Sequence, residues 1–572
     1  MSSITQKYTR WLQRTTDNEE IHAELQRVSG DEAKIEDRFY RELEFGTGGL
    51  RGVLGAGANR MNVYTVAKAT QGLSNYLAEN FKFPSVAVGY DSRIHSDLFA
   101  RTAAEVFAAN GIRVHIYPKL MPTPALSFAV RDLKCSGGVV ITASHNPAKY
   151  NGYKVYGSDG CQITTQAAKA IQQEIDRVDP FDDVKTVNFE AAQEEGLISY
   201  IGEDTVERYL AAIGSASVLP ALIDKQVSIV YTPLNGSGLS CVPRCLTEHG
   251  FTNFVMPPEQ DHPDGHFPTC PYPNPEIREA LEVGLALARK TGSDLLLATD
   301  PDCDRVGAAV RDGEDYTLIS GNEMGVLLLD FICKMRLAAG TMPENPVAVK
   351  TIVTTPMAAR IAGHYGVELI DVLTGFKFIG EQIGLLESQG CPQRYIFGFE
   401  ESYGYLSGSF VRDKDAVNAS LLICEMFVWY RAQGKSLVEV LRELYETYGF
   451  YQSRLLSFTF EGSQGFAVMQ KTMADLRADP PKAILGYAVT AVGDYQASLI
   501  THADGSTETV QLPKSNVLRF FLEGGMEAVV RPSGTEPKLK VYLTAIAPTQ
   551  QESCQTVEAM SAYFTDLMNR AG

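Results

Sequence analysis

The chain has 572 residues, enough for roughly three to five domains that each bury their own core. A composition of 45% hydrophobic, 21% charged and 9% aromatic residues is that of a soluble globular protein and excludes collagen-like, mucin-like and wholly disordered chains. With 51 Lys+Arg against 69 Asp+Glu, the net charge of −18 repels nucleic acid and anionic membranes, so a site for an anionic substrate must gather cations against the global field.

The first forty residues read as charged amphipathic helix, and MSSITQKYTRWLQRTTDNEE carries no apolar signal-peptide core, which points to the cytoplasm. An alternating grammar then begins. Residues 85–90 (SVAVGY) form a strand, 95–110 a helix stopped by Gly111, 112–117 a second strand and 138–142 a third, which ends in ASHNP. The pattern recurs at 227–231, at a helix from about Leu239, at the strand 251–256, and at 294–298, which runs into TDPDCDR. It recurs again at 347–353, 357–364 and 367–371, and at 395–399, which runs into EESYGY. Such alternation predicts parallel α/β layers whose functional loops lie beyond the carboxyl ends of strands. Residues 480–572 read as a smaller α+β domain with strands at 528–530 and 540–545, the loop RPSGTEPK and a final helix from about Thr549. The stretches near 180–205, 313–320 and 455–480 read as linkers. The ten scattered cysteines form no CxxC pair and read as buried reduced thiols.

Four loops carry chemistry. Asp300, Asp302 and Asp304 alternate directly after a strand, so their carboxylates can converge; alone such a set reads more as a solvated turn capping backbone amides, but at a strand end with Arg305 adjacent it favours a hard cation such as Mg²⁺. An EF-hand is excluded by Arg305 at position six and Arg311 at position twelve. Ser144, on a tight turn beyond its strand, suits a nucleophile or a phosphorylated residue equally with a plain turn serine. The adjacent His145 does not make a hydrolase, since G-x-S-x-G is missing and neighbours on an extended turn point apart, while Lys149 and Lys154 favour phosphate. Arg531, Ser533 and Thr535, on a Gly-flanked backbone, have the inventory of a phosphate clamp. In GFEESYGY (398–405), two carboxylates and a serine off a buried strand can accept bonds from ligand hydroxyls.

Together these loops make a phosphoryl-transfer site for a sugar phosphate. The segments FGTGGLRG (45–52), GYDSR (89–93), TASHNP with KYNGYK (142–154), YTPLNGSG (231–238), PDGHFP with PNPE (263–276), TDPDCDR (299–305), TGFKFIG (374–380), GFEESYG (398–404) and RPSGTEPKLK (531–540) stand in the order found in the α-D-phosphohexomutase family. The chain resembles that family from about Phe45 to its end, and its longer phosphoglucomutase members most. The resemblance implies three similar α/β domains with mixed sheets plus a smaller C-terminal α+β domain around a central cleft. Their expected spans are 1–205, with the N-terminal helix and the phosphoserine loop, 206–320 with the metal loop, 321–455 with the sugar loop, and 456–572 with the phosphate loop.

It also implies roles. Ser144 would carry the phosphoryl group, and Asp300, Asp302 and Asp304 with a phosphoserine oxygen would hold Mg²⁺. Lys154 matches the proposed general acid/base; Glu400 and Ser402 match contacts to sugar hydroxyls. Arg531, Ser533, Gly534 and Thr535 match the clamp on the non-reacting phosphate. Arg51, Arg93, His145, Arg305 and Lys377 are expected to line the same cleft, with Arg51, His145 and Arg305 nearest the chemistry and Arg93 and Lys377 on substrate. The implied activity interconverts glucose 1-phosphate and glucose 6-phosphate through glucose 1,6-bisphosphate. The partners expected are small sugar phosphates, with no nucleic acid and no membrane, acting on a monomer or weak homodimer. Departures exist: EESYG stands where bacterial phosphomannomutases have GEMSGH, and TPLNG where the family has TPLHG. Phosphomannomutase or phosphopentomutase activity, a metal-dependent phosphatase and a non-catalytic metabolite-binding protein are the rivals.

Overall fold

The computed structural model describes residues 3–46, 48–460, 462–533 and 538–571. The N-terminal stretch expected as one helix is three, Ser3–Arg14, Glu19–Arg27 and Glu32–Phe39. Asn18 and Asp31 interrupt it, because each side chain caps a new helix by accepting from Ile21 N and Lys34 N. The three helices enclose a small core of Tyr8, Trp11, Ile21, Leu25, Val28 and Phe39 that closes over Ala56 and Ala58.

Three mixed sheets follow, as expected, each with parallel central strands and at least one antiparallel edge. The first runs in the spatial order Gly49–Val53, Tyr150–Gly157, Gly137–Ile141, Ser85–Tyr90, Arg113–Ile116 and Ile198–Tyr200. The second is Asp315–Ile319, Val306–Asp312, Leu295–Thr299, Ile229–Thr232 and Phe254–Val255. The third is Glu368–Val372, Val347–Thr351, Tyr395–Glu400 and Gly404–Leu406. Near-continuous Val, Ile, Leu and Ala runs build the central strands because helices cover both faces. The fourth sheet is antiparallel and begins at Phe450–Thr459, with Lys538–Ala547, Glu527–Pro532, Leu518–Leu522 and Tyr487–Asp494 stacked beside it.

Two expectations on connections fail. The 313–320 stretch is the turn and return strand of an antiparallel hairpin, and 455–480 holds the end of Phe450–Thr459 and the helix Gly462–Ala478. Their polar residues lie on exposed faces of regular elements, which composition alone reads as linker. Within 180–205, Ile198–Tyr200 is an edge strand of the first sheet. One apolar core runs through the first three units, from Leu126 and Tyr209 through Leu297 and Phe331 to Phe399 and Leu421. The fourth unit has its own core around Phe520, Val530, Leu543 and Phe564. All ten cysteines are free, eight of them buried, with Cys391 and Cys554 part-exposed. Among the described residues no helix is long and apolar enough to cross a membrane.

Candidate active site

The strand ends Ile141, Thr299 and Glu400 each release a loop that turns through a left-handed residue that is not glycine: Ser144 at φ 50°, Cys303 at φ 54° and Tyr403 at φ 65°. That conformation costs about 1–2 kcal/mol for an L-residue, so tertiary contacts must hold each turn. The contacts are present. Thr142 Oγ1 accepts from Ser144 N at 2.8 Å, Cys303 O accepts from Ala416 N at 3.3 Å, and Tyr403 O accepts from Val306 N at 3.1 Å.

Ser144 is 4% exposed, and its Oγ donates to Asp300 Oδ2 at 2.8 Å, joining the first loop to the second. Asp300 Oδ1 accepts from Asp304 N and Arg305 N, so this carboxylate also shapes its own turn. Asp300, Asp302 and Asp304 are buried, with ligand oxygens within 4.8 Å of one another. Oδ1 of Asp302 and Oδ1 of Asp304 are buried without a hydrogen-bond partner. Stranded carboxylate oxygens that converge beside a serine hydroxyl fit a hard divalent cation such as Mg²⁺.

Cations crowd this cluster. Lys154 Nζ donates to Asp302 Oδ2 at 2.7 Å and Asp304 Oδ2 at 3.1 Å. Register sets it there: Lys154 pairs with Gly49 and Gly152 with Arg51, so Lys154 and Arg51 project from one face. The pairing needs glycine at 49, because a Cβ there would lie 1.9 Å from Tyr153 O. Arg51 Nη1 donates to Asn146 Oδ1 at 3.0 Å, beside the serine turn. Arg305 is ion-paired to Glu276, with its Nε 3.8 Å from Asp304 Oδ1.

The sequence does not single out Lys414, yet its Nζ lies 3.1 Å from Asp304 Oδ2 and 3.1 Å from Asp413 Oδ1. The stretch 411–417 (VRDKDAV) is where three units meet. Tyr156 OH donates to Asp413, Tyr209 OH donates to Asp415, and Arg412 pairs with Glu387. The charge alternation in RDKD is the only signal of this junction in the sequence.

Electrostatics follow from this packing. Burial drives the Asp300 carboxyl far up, reinforced by Asp302 and Asp304. Burial also pushes Asp304 up, but Lys154, Lys414 and Arg305 outweigh it and hold Asp304 below the usual carboxylate range. Burial lowers Lys154, and Asp302 and Asp304 overcome it, leaving the ammonium more basic than usual. His145 is pushed well below its ordinary value by burial, then by Arg305 and Arg51, so its imidazole is neutral. Its Nδ1 lies 3.2 Å from Ser144 Oγ. The expectation that the two side chains point apart is therefore wrong, because the left-handed turn folds them together.

Other expected residues fall as follows. Glu400, 4% exposed, accepts from Gly375 N at 2.9 Å, and burial raises its carboxyl to about 7, against Lys414 and with Glu401 adding to the rise. Ser402 is half-buried in the same loop. Lys377 lies in the first turn of Phe376–Ser388, two residues past Gly375, and burial lowers its ammonium pKa. Arg531 lies at the end of the strand Glu527–Pro532 and Ser533 follows it, where Ser533 N donates to Lys538 O at 2.7 Å and Arg531 acts electrostatically on Glu401. Gly534 and Thr535 lie outside the described residues. Arg93 departs from the expected substrate contact. Its side chain has no exposed surface, and both of its Nη atoms donate to carbonyls of Ser144, Asn146, Pro147 and Tyr150. Its charge is consumed inside the protein.

Loops from consecutive α/β units bring a buried serine, three carboxylates and several cations to one point, an inventory that fits phosphoryl transfer. Models of the phosphoglucomutase/phosphomannomutase α/β/α domains I, II and III match residues 42–181, 207–313 and 320–448. A phosphoglucomutase of Staphylococcus aureus (strain USA300) is 36% identical over 556 residues, covering 96% of this chain and 97% of its own. The chain belongs to the phosphoglucomutase/phosphomannomutase family and is a phosphohexomutase. Its fold is shared by a putative phosphomannomutase from Thermus thermophilus, with TM-score 0.68, 24% identity and coverage of 92% of this chain and 99% of the other. It is shared too by the open form of the Paramecium phosphoprotein parafusin, with TM-score 0.66, 18% identity and coverage of 92% and 96%.

Proposed function

We propose that the protein is a Mg²⁺-dependent phosphoglucomutase that interconverts glucose 1-phosphate and glucose 6-phosphate through a phosphoserine at position 144. The observation that carries this reading is Ser144 Oγ at 2.8 Å from Asp300, beside two stranded carboxylate oxygens and Lys154. The 36% identity to a phosphoglucomutase supports glucose as the hexose.

Phosphorylated Ser144 gives its phosphoryl group to the 6-hydroxyl of glucose 1-phosphate, forming bound glucose 1,6-bisphosphate. The bisphosphate turns over, Ser144 Oγ receives the 1-phosphoryl group, and glucose 6-phosphate leaves. Mg²⁺ held by Asp300, Asp302 and Asp304 with a phosphoserine oxygen would supply charge neutralisation for the transferring group. Lys154 exchanges the proton of the attacking and leaving hydroxyls, and for this it must let go of Asp302 and Asp304. Arg51, Arg305 and neutral His145 surround the transferring group, while Glu400 and Ser402 receive the sugar hydroxyls. Arg531 and Ser533, with Gly534 and Thr535, hold the phosphate that is not reacting, and Lys377 contacts the substrate.

A coupled assay for glucose 6-phosphate, with inorganic phosphate measured in parallel, tests this reading. Turnover should need Mg²⁺ and catalytic glucose 1,6-bisphosphate, and intact mass should show one phosphoryl group that Ser144→Ala lacks. Dominant phosphate release, or undiminished turnover by Ser144→Ala, would overturn it. A panel of 1-phosphates of glucose, mannose and ribose decides the sugar.

A further inference from the structure

The GYDSR and PDGHFP segments find no role in the chemistry above, and the structure places them together behind the serine turn. Asp91, 2% exposed, follows the strand Ser85–Tyr90. Its Oδ2 accepts from Thr142 Oγ1 at 2.6 Å, and its Oδ1 accepts from Arg93 N at 2.9 Å and Ser96 Oγ at 2.8 Å. Thr142 Oγ1, with its own proton committed to Asp91, is oriented to accept from Ser144 N at 2.8 Å. The Arg93 guanidinium, ion-paired to Asp91 at 3.4 Å, donates to Ser144 O and Asn146 O at 2.5 Å each, to Tyr150 O at 3.0 Å and to Pro147 O at 3.1 Å. Phe267 of the second unit covers the guanidinium, with its ring centre 5.1 Å from Cζ. Gly265 lets that segment approach, since a Cβ there would lie 2.5 Å from Ile94 N.

Both peptide groups of Ser144 are thus tied to one buried carboxylate, the N–H through Thr142 and the C=O through Arg93. Residue 144 sits at φ 50°, a conformation that a free chain leaves readily. Relaxation of the turn would carry Oγ away from Asp300 and open its far side to water.

We propose that Asp91 is a positioning residue for phosphoryl transfer at Ser144, acting through Thr142 and Arg93 beneath Phe267 to lock the serine turn. The proposal rests on the mutase reading for the reaction it serves. The lock itself holds whatever the sugar is.

The test compares Asp91→Asn, Thr142→Val, Thr142→Ser and Phe267→Leu with the wild type. Loss of the lock should lower kcat for glucose 1-phosphate about 10- to 100-fold in Thr142→Val, with KM within about threefold, because the turn and not the sugar subsite is disturbed. Thr142→Ser, which keeps the hydroxyl, should recover most of that loss. Inorganic phosphate released per mutase turnover should rise several-fold in Thr142→Val and Asp91→Asn, and a smaller rise is expected in Phe267→Leu. Amide hydrogen exchange should quicken across 142–150 and not in the third and fourth sheets. The proposal is overturned if folded Thr142→Val exchanges at 142–150 like the wild type. It also fails if activity falls only with the folded fraction at an unchanged ratio of phosphate to turnover. A wild type without mutase activity sinks the functional reading instead, and the exchange comparison still decides the lock.

Discussion

Glu400 gives the sharpest test of the electrostatics. Its carboxyl is 4% exposed, accepts one hydrogen bond from Gly375 N, and is lifted from the ordinary 4.5 to about 7 by burial, opposed by Lys414. A carboxyl whose pKa is higher in the fold than in the unfolded chain binds its proton more tightly when folded. The stabilisation is therefore complete below pH 4.5 and is lost as pH rises through 7. Between 4.5 and about 7 the difference in proton affinity is on the order of 3 kcal/mol. Glu400→Gln keeps an oxygen to accept from Gly375 and removes the titration. Denaturant unfolding of the two proteins at pH 5 and pH 8 should give a stability difference that moves by about that amount in favour of Gln as pH rises. The comparison cancels titrating groups that do not interact with Glu400, such as Asp415, whose burial also lifts it to about 7. A difference that stays flat across this range would refute the assigned burial cost.

Lys414→Met removes one of the ammonium groups that compete for Asp304, so at pH 8 Mg²⁺ should bind about tenfold tighter by calorimetry, about 1.4 kcal/mol, while kcat falls. Unchanged affinity would show that Lys414 does not compete with the metal. Gly49→Ala forces a Cβ against Tyr153 O and should lower both the thermal midpoint and activity by displacing Arg51, whereas Gly111→Ala, with open space at φ 74°, should cost only about 1 kcal/mol. Melting curves and kcat of the two variants decide between a steric and a purely conformational need for glycine. Removal of divalent ions with EDTA should abolish turnover and weaken phosphate binding to Ser144→Ala, since Lys154 and Lys414 then stay on the carboxylates; titration with inorganic phosphate with and without Mg²⁺ reads this, and equal affinities would refute it.

The first three sheets were legible because their central strands are buried on both faces and so are written as uninterrupted apolar runs bounded by glycine and polar loops. Ser85–Tyr90 and Met357–His364 appear at the expected residues. Half-exposed elements were harder: Phe450–Thr459 mixes polar and apolar residues on a surface, and its sequence resembles a linker as much as a strand. At the site, the carboxylate loop was visible because three alternate aspartates stand at the end of a buried strand with Arg305 beside them. Lys414 was not, since a lysine within RDKD is ordinary on a solvated surface, and only the junction of three units buries it against Asp304. Arg93 misled for the converse reason. The family resemblance puts it in the cleft as a substrate contact, and only the fold reveals that four carbonyls already occupy it.

That contrast bears on how an acidic protein with a net charge of −18 handles an anionic substrate. Near Ser144, Lys154, Lys414 and Arg305 face Asp300, Asp302, Asp304 and Glu276, so the centre is close to neutral rather than positive. Lys154 and Lys414 are held on Asp302 and Asp304, and Arg93 is held on carbonyls and Asp91. A dication on the three aspartates changes this balance by two charges and competes with both ammonium groups for the same oxygens. The attraction for a phosphoryl group is therefore not a standing property of the cleft. Under the proposed function it would arise once a divalent ion took over the carboxylates and freed the two ammonium groups.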